Sequence, residues 1–212
     1  MIIKSYDISW NSVEEVLSKE HISLHVANLI STLSKEPGNV LDAFSKAQLY
    51  SKWQLIQSLT ESAYLFTSNI VICGGWIGML AHMIHNRSPK LQITSIDIDP
   101  HAIEISQKIN QFNPNFKALQ TNMVGFDYSP YDVIINTSFE HIENSKEWLS
   151  SLPSNKTVYI QSNNAFGYKD HVNCSKTIQD LRLKLEDYMT VSEMSEIQFP
   201  KLYTRFMIRG HT

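Results

Sequence analysis

Three stretches of this chain carry residues whose types and spacing could do chemistry together. The first is Asn69-Ile70-Val71-Ile72-Cys73-Gly74-Gly75-Trp76-Ile77-Gly78-Met79-Leu80, an apolar β-branched run broken by three glycines and resumed as an amphipathic segment. It reads as strand, tight turn and helix, and such a turn needs residues without Cβ, both for unusual backbone angles and for close approach of a ligand. Gly74, Gly75 and Gly78 meet that need. The second is Ile93-Thr94-Ser95-Ile96-Asp97-Ile98-Asp99-Pro100, a strand ending in acid near the separation at which a carboxylate reaches the ribose of a nucleotide cofactor. The third is Asn136-Thr137-Ser138-Phe139-Glu140-His141, a polar stretch directly after a further apolar strand. His141 is the first candidate there for a general base, because an imidazole titrates in the working range, with Glu140 beside it. Capping or packing of the following helix is an equal alternative for both.

These groups are useful only if regular elements bring them to one edge. From residue 69 onward the pattern predicts alternating strands and helices, hence a parallel sheet. Strands are expected over 69–73, 92–97, 116–119, 131–136 and 157–161. Helices are expected over 76–85, from Pro100, over 145–152 and over 177–189. Two extended runs, 191–199 and 202–208, are separated only by Pro200-Lys201, a gap too short for a crossover helix, so they pair as an antiparallel hairpin. Upstream, Ser12 and Glu15 resemble a capping box opening one or two helices that end at Pro37-Gly38, and Asn39 is placed to cap another helix through Leu59. A helix just before the first strand can fold over the mouth of the site. Lys46, Gln48, Tyr50 and Trp53 on it are candidate substrate contacts, against the alternative of a packed tryptophan and solvated lysines.

The 212 residues, 42% hydrophobic and 18% charged, suffice for one good core and a small appendage. We expect a helical extension or cap over 1–66 and a nucleotide-binding domain over 67–212. With 18 Lys+Arg against 21 Asp+Glu the net charge is -3, which gives no reason to expect strong non-specific nucleic-acid binding. Cys73 and Cys174 are the only cysteines, so a disulfide framework is not expected and a reducing compartment fits. No apolar run reaches the ~20 residues of a membrane span, and residues 1–10 lack the basic start of a signal peptide, so the expected location is the cytoplasm. His21 and His25 stand four apart without a nearby third ligand of useful spacing, and no metal is expected.

The order of elements resembles the class I S-adenosylmethionine-dependent methyltransferases, a Rossmann-like fold whose seven-stranded sheet ends in an antiparallel strand. The likeness covers residues 69–212, roughly two thirds of the chain. The family's glycine turn, acid-x-G-x-G-x-G, falls on Ile72, Gly74, Trp76 and Gly78, so two glycines match while the acid and the middle glycine do not. The resemblance implies S-adenosylmethionine as cofactor, with Asp97 on the ribose hydroxyls and Ile98 next to it. It places Asn122 and Met123 in the loop that contacts adenine, and Asn136 at the edge of the crevice. The Glu140-His141 pair is similar to a stretch seen in small-molecule members. Ile72 cannot accept a hydrogen bond from the cofactor's amino group. Trp76 either stacks on the sulfonium by cation-π attraction or packs under the helix and narrows the pocket. The Ser-Lys-Ala-Gln-Leu helix, the Gly-Gly-Trp-x-Gly turn and the Asn-Thr-Ser-x-Glu-His stretch together are similar to uncharacterised phage-type methyltransferase-like proteins.

Beyond strand 157–161 lies a long polar loop at the same edge, where such folds carry specificity. Asn163, Asn164, Tyr168 and His171 in it are candidates for acceptor recognition, against a plain solvated connector. Asn136-Thr137-Ser138-Phe139 shares its ends with the Asn-Pro-Pro-aromatic motif of enzymes that methylate exocyclic amines on bases, without either proline. The expected activity is methyl transfer to a small-molecule amine, hydroxyl or nucleotide-like acceptor. Two other readings stay open: an inactive cofactor-binding scaffold, which Ile72 and Trp76 make credible, and a nicotinamide-dependent oxidoreductase. The last is weaker because the first glycine of G-x-G-x-x-G would fall on Cys73.

Overall fold

The computed structural model describes residues 3–7, 39–62 and 68–212. The helix expected after Ser12, with His21 and His25, lies outside these residues. The elements are β1 (Ile3–Asp7), a 3-10 turn (Asn39–Phe44), α1 (Lys46–Glu61), β2 (Asn69–Cys73), α2 (Met79–Arg87), β3 (Gln92–Asp97), α3 (Pro100–Asn110) and β4 (Phe116–Gln120). They continue with β5 (Val133–Asn136), a 3-10 turn (Phe139–His141), α4 (Ser145–Ser150), β6 (Thr157–Asn163), α5 (Ile178–Leu185), β7 (Thr190–Phe199) and β8 (Tyr203–His211).

All strands join one sheet in the order β1-β7-β8-β6-β5-β2-β3-β4. Strands β2 to β6 are mutually parallel, and β8 runs antiparallel to both β6 and β7. This is the Rossmann-like parallel core closed by an antiparallel hairpin that the alternation and the two terminal runs predict. An eighth strand, β1, pairs in parallel with β7 at the far edge, and the sequence reading does not contain it. Five residues of mixed polarity give too short a period-2 pattern to announce an edge strand.

The central strands β2, β5 and β6 are buried along nearly their whole length, as expected for parallel strands covered on both faces. Alternate residues divide between two cores. Ile70, Ile72, Val133, Ile135 and Tyr159 meet Leu55, Ile56 and Leu59 of α1 and Leu80 and Ile84 of α2. Val71, Cys73, Ile134, Val158 and Ile160 face Trp148 and Leu149 of α4 and Leu181 and Leu185 of α5. Among the described residues, no helix is long and apolar enough to cross a membrane.

Two helix starts differ from expectation. α1 begins after Ser45, not Asn39, because Ser45 is extended (φ -63°, ψ 151°) and its side chain accepts a hydrogen bond from the Gln48 N–H (3.3 Å). Its extended backbone separates the 3-10 turn from the helix proper. α2 begins at Met79, not Trp76, because the turn before it passes through left-handed backbone at Gly74 (φ 59°), Trp76 (φ 48°) and Gly78 (φ 75°). At Gly78 a Cβ would also meet Ser106 Oγ and Asn110 Nδ2 of α3, whose amide donates to the Gly78 carbonyl (3.1 Å). Gly78→Ala should therefore lower the free energy of unfolding by about 1–3 kcal/mol, measured by urea denaturation, whereas a change within error would show that the turn tolerates a side chain.

Candidate functional site

The sheet order reverses at β2, which has β3 and β4 on one side and β5 and β6 on the other. In open α/β sheets the crevice for a ligand forms at such a point, outside the carboxyl ends of the strands. Here the loops after β2, β3, β4, β5 and β6 all emerge at that edge.

The glycine turn is tied to the neighbouring strand by Asp97. One carboxylate oxygen accepts the Trp76 N–H (2.9 Å) and the other the Asp99 N–H (3.0 Å), while the Gly75 N–H donates to the Ile96 carbonyl (3.0 Å). Asp99 in turn caps α3 by accepting from the His101 N–H (2.9 Å). Asp97 is half-buried and Ile98 beside it is 68% exposed, an apolar side chain at the rim of the crevice. The floor closes between β2, β4 and β5. Ser138 Oγ donates to the Gly74 carbonyl (3.2 Å), and the Asn136 amide meets Met123 Sδ (3.6 Å) while accepting from the Ser138 N–H (2.9 Å). The Thr121 N–H donates to the Asp97 carbonyl (2.9 Å), and Asn122 Oδ1 accepts from the Val124 N–H (2.9 Å) to fold the loop after β4. The structure thus gathers Gly74, Gly75, Asp97, Ile98, Asn122, Met123 and Asn136 around one crevice. The Trp76 ring, given two roles above, packs against Val40, Ala43, Ile77, Ile105 and Ile109. Its left-handed backbone explains why a glycine is the easier residue at that position.

Past β5 the candidates separate into buried supports and accessible groups. Glu140 is 2% exposed, and its Oε1 accepts from Arg205 Nη1 (2.8 Å) and Asn163 Nδ2 (2.6 Å). Glu140 Oε1 is thus engaged in positioning the loop, while its buried Oε2 has no hydrogen-bond partner among the described residues. Asn163 is 1% exposed, with its oxygen accepting from the Ala165 N–H (2.9 Å) and the Cys174 thiol (3.3 Å). Asn164 pairs with Thr204 at the start of β8. Asn163 is thus a buried anchor of the loop, while Asn164 is half-buried and ties the loop to β8 through its side-chain oxygen and its backbone. His141 and His171 stay accessible, their rings 4.7 Å apart and edge to face, with Tyr168 4.9 Å from His171. Burial and the Glu140 carboxylate push the Cys174 thiol up, and burial pushes Cys73 up to about 12, so neither is a ready thiolate.

On α1, Gln48 Oε1 accepts from Lys52 Nζ (2.8 Å), and Trp53 packs between Tyr50 and the core. Gln48 is thus engaged within its own helix, and Trp53 also reaches the cluster of Ile197 and Phe199 on β7. Sequence reasoning missed two charged residues instead. Lys52 and Arg205 are 7% and 4% exposed. Burial works against the Arg205 charge, but Glu140 and Tyr203 outweigh it and hold its pKa above the ordinary value. For Lys52 the balance is reversed: burial, then Arg205, outweigh the Asp42 and Glu140 carboxylates and bring it down to about 7. A lysine among apolar residues at helical spacing reads as an exposed side chain, and only Arg205's position inside the run 202–208 could have flagged a buried charge.

Because the folded pKa of Lys52 lies below its unfolded value, the group costs stability below about pH 7 and that cost is relieved as pH rises toward 10.5. Lys52→Met should raise stability by about 1–4 kcal/mol near pH 6, with the gain shrinking at alkaline pH in urea titrations. A pH-independent difference would refute the buried charge. Arg205→Met leaves Glu140 buried without its counterion and should cost about 3–5 kcal/mol.

No protein-family model matches this sequence. No curated protein matches it either. Solved structures do match the fold. Magnesium protoporphyrin IX methyltransferase (ChlM) from Synechocystis PCC 6803, crystallised with bound SAH, aligns with TM-score 0.65 at 11% identity over 94% of this chain and 100% of that one. The N-methyltransferase NodS from Bradyrhizobium japonicum WM9 aligns with TM-score 0.60 at 15% identity, over 77% and 94% of the two chains. Geranyl diphosphate C-methyltransferase from Streptomyces coelicolor A3(2) aligns with TM-score 0.58 at 11% identity, over 84% and 86%. At these identities the comparison establishes the fold.

Proposed function

We propose that this protein is an S-adenosylmethionine-dependent methyltransferase acting on a small-molecule amine, hydroxyl or nucleotide-like acceptor. The observation that carries the reading is the crevice at the reversal of the sheet, where a glycine turn and the Asp97 carboxylate meet in the positions a nucleoside needs. Neighbours of this fold are methyltransferases, one of them crystallised with SAM and with SAH. The likeness to phage-type proteins rests on three short sequence stretches alone. A cytoplasmic location agrees with the free cysteines. Of the extension over 1–66, β1 lies at the edge of the sheet, and the capping role falls among the described residues to the 3-10 turn and α1.

In this reading the ribose hydroxyls hydrogen-bond to Asp97, whose oxygens keep lone pairs beyond the two amides they accept from. Ile98 covers the adenine, and Met123 with Asn136 lines the floor. Methyl transfer from a sulfonium is an in-line displacement on an activated carbon, so alignment supplies most of the rate. His141, exposed at the acceptor end, takes the proton of the attacking group. Its Nδ1 faces Asp170, which leaves Nε2 to receive that proton. A second reading, a cofactor-binding scaffold without turnover, is favoured by two observations: the Trp76 ring packs against a hydrophobic cluster, and Ile72 offers no polar atom to the cofactor's amino group.

Calorimetric titration with S-adenosylmethionine, S-adenosylhomocysteine and NAD should show binding of the first two and none of NAD. Asp97→Ala should weaken that binding about 10–100-fold, by loss of charged hydrogen bonds worth about 1.5–3 kcal/mol. Binding of NAD alone, or unchanged affinity in the variant, would overturn the assignment.

A further inference from the structure

We propose that Glu140, His141 and His171 form a site for a divalent cation that prefers imidazole, of the zinc, manganese or ferrous kind, at the acceptor end of the crevice. One ligand atom from each of the three lies within 4.8 Å of the others. Atoms bound to one tetrahedral ion at ~2.0–2.2 Å stand ~3.3–3.6 Å apart, so the widest pair has to close by about an ångström, which a turn of an accessible imidazole supplies. The residues come from separate segments: Glu140 and His141 from the 3-10 turn after β5, and His171 from the loop after β6.

Independent features of the three side chains point to a ligand. Glu140 Oε1 is occupied by Arg205 and Asn163, but Oε2 is buried and has no hydrogen-bond partner among the described residues. A buried carboxylate oxygen without a donor is costly, and a cation would satisfy it. Both imidazoles are held by Nδ1. That of His141 contacts the Asp170 carbonyl and carboxylate oxygens (3.1 Å each), and that of His171 the Ala165 carbonyl (2.9 Å). Carbonyl oxygens only accept, so Nδ1 carries the proton in each ring and Nε2 presents its lone pair. Imidazoles that act as ligands are commonly oriented in this way by an outer acceptor. Two nitrogens and one carboxylate oxygen suit first-row transition ions and zinc better than magnesium or calcium, which favour all-oxygen sets. Arg205 beside Glu140 opposes a cation and Asp170 behind His141 favours one, so the donor atoms decide the affinity.

The site's role in catalysis rests on the methyltransferase reading, whereas its existence does not. With the cation bound, His141 is a ligand and the task of making the acceptor nucleophilic passes from it to the metal. An acceptor hydroxyl on an open coordination position would lose its proton to solvent more readily. Its oxygen then forms the new bond to the methyl carbon as the carbon–sulfur bond breaks, and S-adenosylhomocysteine leaves.

The full-length protein, stripped with a chelator and titrated with Co²⁺ as probe, should bind one equivalent tightly with visible ligand-field bands. The His141→Ala/His171→Ala double variant should lose that binding by more than 100-fold. Asp170→Asn, which perturbs only the outer partner of His141, should lose about 10–100-fold. Circular dichroism of the same samples checks that each variant is folded, and S-adenosylmethionine binding is measured beside it. Wild-type binding no tighter than that of the double variant would overturn the site. If cofactor binds normally and Co²⁺ does not, the cation site falls and the methyltransferase reading stands; if Co²⁺ binds as described and the cofactor does not, the reverse holds.

Discussion

The Asp97 carboxylate is the contact on which the crevice depends. It stands at the end of β3, accepts the Trp76 and Asp99 amides, and so joins the glycine turn after β2 to the start of α3. The turn has left-handed backbone at Gly74, Trp76 and Gly78, and a tryptophan there is strained by about 1–2 kcal/mol. A charge-assisted bond from its amide and a ring packed against Val40, Ile77 and Ile105 offset that strain. Without the carboxylate, the backbone that would face a nucleoside loses its tie through the Trp76 amide.

On the other side of the reversal a buried ion pair does the corresponding work. Glu140, Arg205 and Asn163 come from the turn after β5, the start of β8 and the end of β6, and their contacts bring three loops to one place. Burying a pair of charges brings little net stability, because desolvation takes back most of the attraction. What the arrangement supplies is position: His141 follows Glu140 directly, and His171 is held in the loop that Asn163 anchors. The antiparallel terminal strand thus contributes to the site through Arg205 as well as closing the sheet.

Much of the fold was legible because its signals are local and periodic. The β-branched runs gave β2, β3, β5 and β6, Asp99-Pro100 announced the start of α3, and Pro200-Lys201 separated the strands of the hairpin. The start of α2 was misplaced because helical spacing continues through Trp76, whereas backbone handedness leaves no trace in hydrophobic pattern. The cofactor side was legible for the same reason as the fold, since glycines and a strand-end acid are sequence signals. The acceptor side was not. Residue type points to reactive or recognising groups at Glu140, Asn163 and Asn164, but the partners that hold them come from distant segments and leave no local signal. Lys52 gave no signal and Arg205 only its place inside an extended run, because a buried charge depends on what packs over it across many residues of chain.

The central claim is that a nucleoside lies across the reversal of the sheet, with its ribose on Asp97. A crystal structure of the protein soaked with S-adenosylhomocysteine tests it most directly. The account predicts ribose hydroxyls within hydrogen-bonding distance of the Asp97 carboxylate, adenine against Ile98, and the sulfur pointing toward the His141–His171 end. Ligand bound at another edge of the sheet, or in the crevice with Asp97 untouched, would contradict it.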